Sequence, residues 1–381
     1  MGGAGRVLVM IKHYRAKLVG CLAFLVAVSG LALAQSGSDV SPGQLLLKDY
    51  RPRSIFKVPV TEVNRAKFPV IDVHSHPYVR TPSQVEQWIR NMDEVGVERS
   101  IVMVGATGKV FDDAVALFGK FPERFELWCG IDYQGFDQPG FAARAIAELE
   151  RCHALGAVGV GELSDKGRGL RGVRGNVDGF PMHIDDPRMD PILERCADLG
   201  LPINIHVGED KWMYEPMDRH NDGLMNAFKW KIPDDPNVLR HDAMIATLDA
   251  AAKKHPRVTF IACHLANTCY DLSILGRMFD AHANLYADFG ARFGELAPIP
   301  RAVSRFFTKY QDRILYGTDN GIDTEMYRTT FRWLESEDEH FYPPRFRNYH
   351  WAWHGLGLEP EVLKKIYRDN ALRIFGKLRD R

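Results

Sequence analysis

The chain has no excess of charge: 49 Lys and Arg balance 49 Asp and Glu over 381 residues, so no net field draws it to nucleic acid or to an anionic membrane. No Gly-x-Gly-x-x-Gly follows the first apolar run, which excludes a dinucleotide cradle. The glycines of "GAVGVGEL" end a strand without opening a helix, so they cradle no phosphate. The sequence has no repeat of fixed period and no low-complexity tract beyond the short "QSGSDVSPG", which removes solenoids and arrays. Cysteine is sparse. Of six, the five beyond the N-terminus (Cys129, Cys152, Cys196, Cys263 and Cys269) are odd in number and scattered through apolar runs, as buried thiols are and a disulfide framework is not. A Cys263–Cys269 bridge is the one pairing entertained.

The N-terminus reads as an export signal. Arg6, Lys12, Arg15 and Lys17 precede the apolar "LVGCLAFLVAVSGLALA", and Ala32-Leu33-Ala34 fits a small-residue cleavage site before Gln35. Residues 1–34 are therefore assigned to a signal peptide, 35–67 to a linker, and 68–381 to the main domain with its C-terminal helices. The expected location is periplasmic or secreted, with no stable membrane insertion after cleavage. An uncleaved anchor, or lipid attachment at Cys21 of "LVGC", is the competing reading.

What the sequence does have is alternation. Short β-branched runs stand at Val70 to His74, Ser100 to Val104, Phe125 to Ile131, Ala157 to Glu162, Pro202 to His206, Val258 to His264, Asn284 to Phe289 and Ile314 to Asp319. Between them lie helix-periodic segments such as "PSQVEQWIRNMDEVG" and "HDAMIATLDAAAKKHP". Eight strands alternating with helices predict an α/β fold, a (β/α)8 TIM barrel, against an open doubly wound sheet. Ser164 to Pro187 and Gly208 to Asn237 are too long for simple connections and fall after the fourth and fifth strands, over the active-site mouth.

The strand ends carry the chemistry. Side chains at i and i+2 share a face, so Asp72, His74 and His76 of "DVHSHP" are expected to point together, and two imidazoles so spaced can converge on one ion. Glu162, His206, His264 and Asp319 end four further strands. Each alone has an ordinary reading: a solvated end, a satisfied core histidine, a cap. Together they match the way this architecture gathers catalytic groups from several strand ends.

The set resembles the amidohydrolase superfamily, in particular amidohydrolase family 2, through "DVHSHP", "GAVGVGEL", "INIHVGE", "ACHLAN", "LYGTDN" and "IYRDNALRIFG", from about Val70 to Phe375. That resemblance implies a metal held by His74, His76 and His206. It gives Asp319 the roles of ligand and proton carrier, and sets His264 on a second metal or on the substrate carbonyl. Glu162 resembles the glutamate that bridges two ions in some members. Zinc is the expected cation, one ion or two, with manganese or iron as alternatives.

The expected reaction is hydrolysis of a small lactone, ester or amide by water that a divalent cation has made acidic, with Asp319 moving the proton. Arg168, Arg171 and Arg174 in the loop after the fourth strand are candidates to clamp an anionic substrate. Trp212 is a substrate-contact candidate in "EDKWMYEPMDRHNDG", a segment that serves either as lid or as the contact of a homodimer. His183 and His220 are candidates for outer contacts, while "RNYHWAWHG" is expected to pack on the barrel. The rival readings are a metal-dependent decarboxylase on the same barrel and a non-catalytic metal- or ligand-binding protein.

Overall fold

The computed structural model describes residues 40–171 and 179–375. The chain divides into a unit ending at Leu45, of which a single turn at Pro42–Gln44 is described, and a unit from Leu46 onward. The expected signal lies outside the described residues. Among those described, no helix is long and apolar enough to cross a membrane.

Eight parallel strands alternate with helices around a nearly closed barrel. In order of pairing they are β1 (Val70–Ser75), β2 (Val97–Met103), β3 (Phe125–Cys129), β4 (Ala157–Asp165), β6 (Ile203–Val207), β7 (Phe260–Ala262), β8 (Leu285–Asp288) and β9 (Ile314–Leu315). A two-residue strand, β5 (Leu170–Arg171), folds back antiparallel on the end of β4. Between β9 and β1 the ring is joined by Val73 N–H to Tyr316 O at 2.9 Å and Asp319 N–H to His74 O at 2.8 Å.

Local sequence explains the connections. The helix Pro82–Val95 starts on a capping box between Thr81 and Gln84 and stops at Gly96, whose φ of 91° is the left-handed conformation that ends a helix at little cost to glycine. Its buried face is Val85, Trp88, Met92 and Val95, spaced three and four apart. The loops over the mouth are not structureless. Lys211–Tyr214 and Leu224–Trp230 are helical, and Met213, Tyr214, Ala227, Ile232 and Val238 bury one another in a small core of their own.

Two apolar clusters divide the strands by face. One gathers Ile71, Val73, Ile101, Met103, Trp128, Ile261 and Leu315 with Ala371 and Phe375. Residues from strands on opposite sides of a ring can meet only inside it, so the C-terminal helix Asn370–Phe375 forms the floor of the barrel, and the Phe375 ring stands edge-on to Trp128 at 5.6 Å. The alternate strand residues, among them Val70, Val102, Val160, Ile203, Phe260 and Ile314, face the helices. The "RNYHWAWHG" segment does pack on the barrel: Trp353 is buried and pairs its backbone with Phe341.

Gly159 on β4 lies against the floor. A Cβ there would stand 2.3 Å from the ring of Trp128, which is itself fully buried. Gly159→Ala is therefore expected to lower stability by about 1–3 kcal/mol through overpacking. The check is the urea midpoint of the variant; an unchanged midpoint would mean that the indole can yield.

Candidate metal centre

β1 supplies two histidines by breaking its own alternation. Between Asp72 and Ser75 its register against β2 slips by one residue, a bulge that turns His74 and His76 to the barrel axis. The expectation that Asp72 joins them is corrected by the same bulge. Asp72 faces the helix layer, where it accepts from Thr318 Oγ1 at 2.6 Å and Tyr327 OH at 3.0 Å.

Each of four histidines has one ring nitrogen tied down at the cavity wall. His76 Nδ1 meets the Met103 carbonyl at 3.2 Å, His264 Nδ1 the Gly290 carbonyl at 2.6 Å, and His206 Nε2 the Gly208 carbonyl at 2.8 Å. His74 Nδ1 lies 3.1 Å from both oxygens of Asp288. Carbonyls and carboxylates only accept, so these nitrogens carry hydrogen, and the opposite nitrogen of each ring is the one directed inward, where a cation would take the place of its proton. That is how metal-binding imidazoles are held. His74 Nε2 is buried without a hydrogen bond, a costly arrangement unless something else engages it.

Two carboxylates stand among those nitrogens. Glu162 lies 2.9 Å from His206 Nδ1, 3.3 Å from His76 Nε2, 3.5 Å from His264 Nε2 and 4.0 Å from His74 Nε2. Asp319 lies 3.2 Å from His76 Nε2 and 3.9 Å from His74 Nε2, and accepts from Tyr78 OH at 3.3 Å. Donor atoms of His74, His76 and Asp319 all fall within 4.8 Å of one another, as do those of His74, Glu162, Cys263 and His264. These two groups fit a divalent cation, and in a close pair the one inward nitrogen of His74 could serve only one member.

The electrostatics agree with that fit. Burial opposes charge on His74, but Asp288, Asp319 and Glu162 outweigh it and push the imidazole up to about 10. Burial would raise Glu162 too; the close imidazoles of His206, His264 and His76 hold it well below the usual range. The anionic surplus that drives protons onto these rings is the charge a divalent cation would neutralise. His264 goes the other way, down to about 4, through burial and the nearby Arg292, so it is neutral at pH 7 and able to act as a ligand.

Three contributors were not anticipated from sequence. Asp288, at the end of β8, holds His74 and also accepts from Asn204 Nδ2 at 3.1 Å. Glu209 lies 3.7 Å from His206 Nε2 and pairs with Lys166. Arg292 is buried between Asp210, at 2.9 Å, and Glu209, at 3.7 Å. Asp288 could have been found: in "LYADFG" it ends a strand in phase with Tyr286, on the face opposite Leu285 and Ala287. Arg292 carried no such signal, since it lies in a loop.

The candidate substrate contacts have partners of their own. Arg168 pairs with Asp235 at 3.1 Å, and Trp212 packs against Trp351 and Tyr349. The Arg171 backbone is in β5, while its side chain and the whole of Arg174 lie outside the described residues. His183 Nδ1 contacts Asp165 at 2.6 Å in the loop after β4, and His220 sits in an exposed turn. Cys263 and Cys269 are both free and buried, so the bridge between them is not formed.

Comparison with known proteins follows the same lines. None of the curated proteins matches the chain. Among solved structures, an uncharacterised TIM-barrel protein of Bordetella bronchiseptica aligns with TM-score 0.54 and 18% identity, covering 82% of this chain and 99% of that one. An L-hydantoinase (dihydropyrimidinase) of Arthrobacter aurescens aligns at 0.49 and 15%, covering 81% and 70%, and an amidohydrolase of Burkholderia multivorans at 0.48 and 12%, covering 81% and 99%. At these identities the Bordetella match speaks for the barrel fold alone. The sequence profile described as amidohydrolase matches residues 71–377, and the chain belongs to the amidohydrolase family.

Proposed function

We propose that this chain is a metal-dependent hydrolase of small lactones, esters or amides. The observation that carries the reading is the anchoring of four histidines by their outer nitrogens, so that their inner nitrogens converge on Glu162 and Asp319. His74, His76, His206, His264, Glu162 and Asp319 would hold the cation, with zinc favoured by a nitrogen-rich set. A bound divalent cation supplies polarisation of a carbonyl oxygen and acidifies water.

The remaining work falls to the chain. Asp319, ionised and 3.3 Å from the Tyr78 hydroxyl, accepts a proton from the attacking water and returns it to the leaving group. Glu162, within reach of four imidazoles, keeps them in register. Because His264 Nδ1 donates to Gly290, its inner nitrogen has no hydrogen to offer a carbonyl, which favours the ligand role over the polarising one. Arg168 would have to leave Asp235 to clamp an anionic substrate.

The test is a panel of lactones, esters, amides and carboxylated aromatics, run with the metal-loaded chain, after chelation, and after return of zinc or manganese. Hydrolysis lost on chelation and restored by the cation supports the reading. Failure to retain any cation after supplementation would overturn it, and release of CO2 in place of hydrolysis would transfer the site to the decarboxylase reading.

A further inference from the structure

We propose that Cys263 is a thiolate ligand of the cation at this centre, an inference that rests on the metal reading above. The residue directly follows β7, where Ile261 faces the barrel interior and Ala262 the helices, so Cys263 is next in line to face inward. Its neighbour His264 would then point outward. It does not, because His264, Leu265 and Ala266 all adopt left-handed backbone conformations with φ between 52° and 58°. This turn sends two consecutive side chains into one cavity.

The result is a compact donor set. One donor atom each from His74, Glu162, Cys263 and His264 lies within 4.8 Å of the other three. The separation suits a tetrahedral cation with nitrogen and oxygen at about 2.0–2.2 Å and sulfur at about 2.3 Å. Independently of the thiol, the fully buried His74 Nε2 has no hydrogen-bond partner and points into the same space. The protonated thiol donates to Asn204 Oδ1, a contact that coordination would break.

Coordination replaces the S–H bond by a sulfur–metal bond, and the proton leaves to solvent. A sulfur donor makes this set softer than the alternative set of His74, His76 and Asp319, with which it shares the one inward nitrogen of His74. It should therefore select zinc, cobalt or cadmium over manganese or magnesium.

The experiment loads the full apo chain with Co2+ and records its near-ultraviolet and visible spectra. A sulfur-to-cobalt charge-transfer band is expected, lost in Cys263→Ser and kept in Cys269→Ser, while the visible d–d bands persist in both. Bound Co2+ without the charge-transfer band, or a band that survives Cys263→Ser, overturns the thiolate ligand and leaves the metal reading standing. No retained Co2+ overturns both. Should Cys263→Ser fail to fold, X-ray absorption on the unaltered zinc-loaded chain decides the matter: sulfur in the first shell supports the proposal, and a shell of nitrogen and oxygen alone overturns it.

Discussion

Asp319→Asn should lower kcat by roughly a hundred- to ten-thousandfold, the usual contribution of a placed general acid–base, while the fold and the cation content stay close to those of the unaltered chain. Burial would raise the Asp319 carboxyl, but His74 and His76 hold it well below the usual carboxylate range, so it enters the reaction ionised. Asparagine keeps the shape, the oxygen 3.2 Å from His76 Nε2 and the contact with Tyr78. What it loses is the capacity to take a proton. The measurement is kcat and KM on whichever substrate of the panel is turned over, alongside elemental analysis of the variant. A rate within tenfold of the unaltered chain would remove Asp319 from proton transfer. A loss of cation equal to the loss of rate would make it a ligand only.

Much of this centre was legible because a barrel turns strand ends into a list. Once eight runs of β-branched residues alternate with helical segments, the last residue of each run is by topology at the mouth, and the chemistry can be read off in order. Prediction failed where the backbone leaves the regular period. Asp72 looked inward by the count of two, and a one-residue bulge reversed it. Val258 to His264 looked like one strand, yet it is regular only over Phe260–Ala262 before the left-handed turn that brings His264 inward. Ile314 to Asp319 is regular over two residues, since Tyr316 and Asp319 instead bond to β1 to join the ring. Arg292 was illegible for another reason: its partners Asp210, Glu209 and Asn267 lie far off in sequence, and only packing brings them together.

Those loop charges give the second large effect. Arg292→Met should destabilise the chain by about 3–5 kcal/mol, the cost of removing one partner from a buried ionic cluster. Arg292 Nε lies 2.9 Å from Asp210 Oδ2, in a fully buried carboxylate, and it also donates to Asn267 Oδ1 at 2.9 Å. Burial and the charge of Asp210 push Glu295 up to about 8 from an ordinary 4.5, with Arg292 pulling against them. Between those two pH values the folded chain keeps a proton that the unfolded chain has lost, so stability falls as pH rises through the window. Without the guanidinium both carboxyls titrate higher, and the penalty at pH 9 should exceed that at pH 5. Urea unfolding of both proteins at pH 5, 7 and 9 checks this. Equal penalties at the two extremes would mean that Arg292 stabilises by packing its stem rather than by easing the ionisation of the two buried acids.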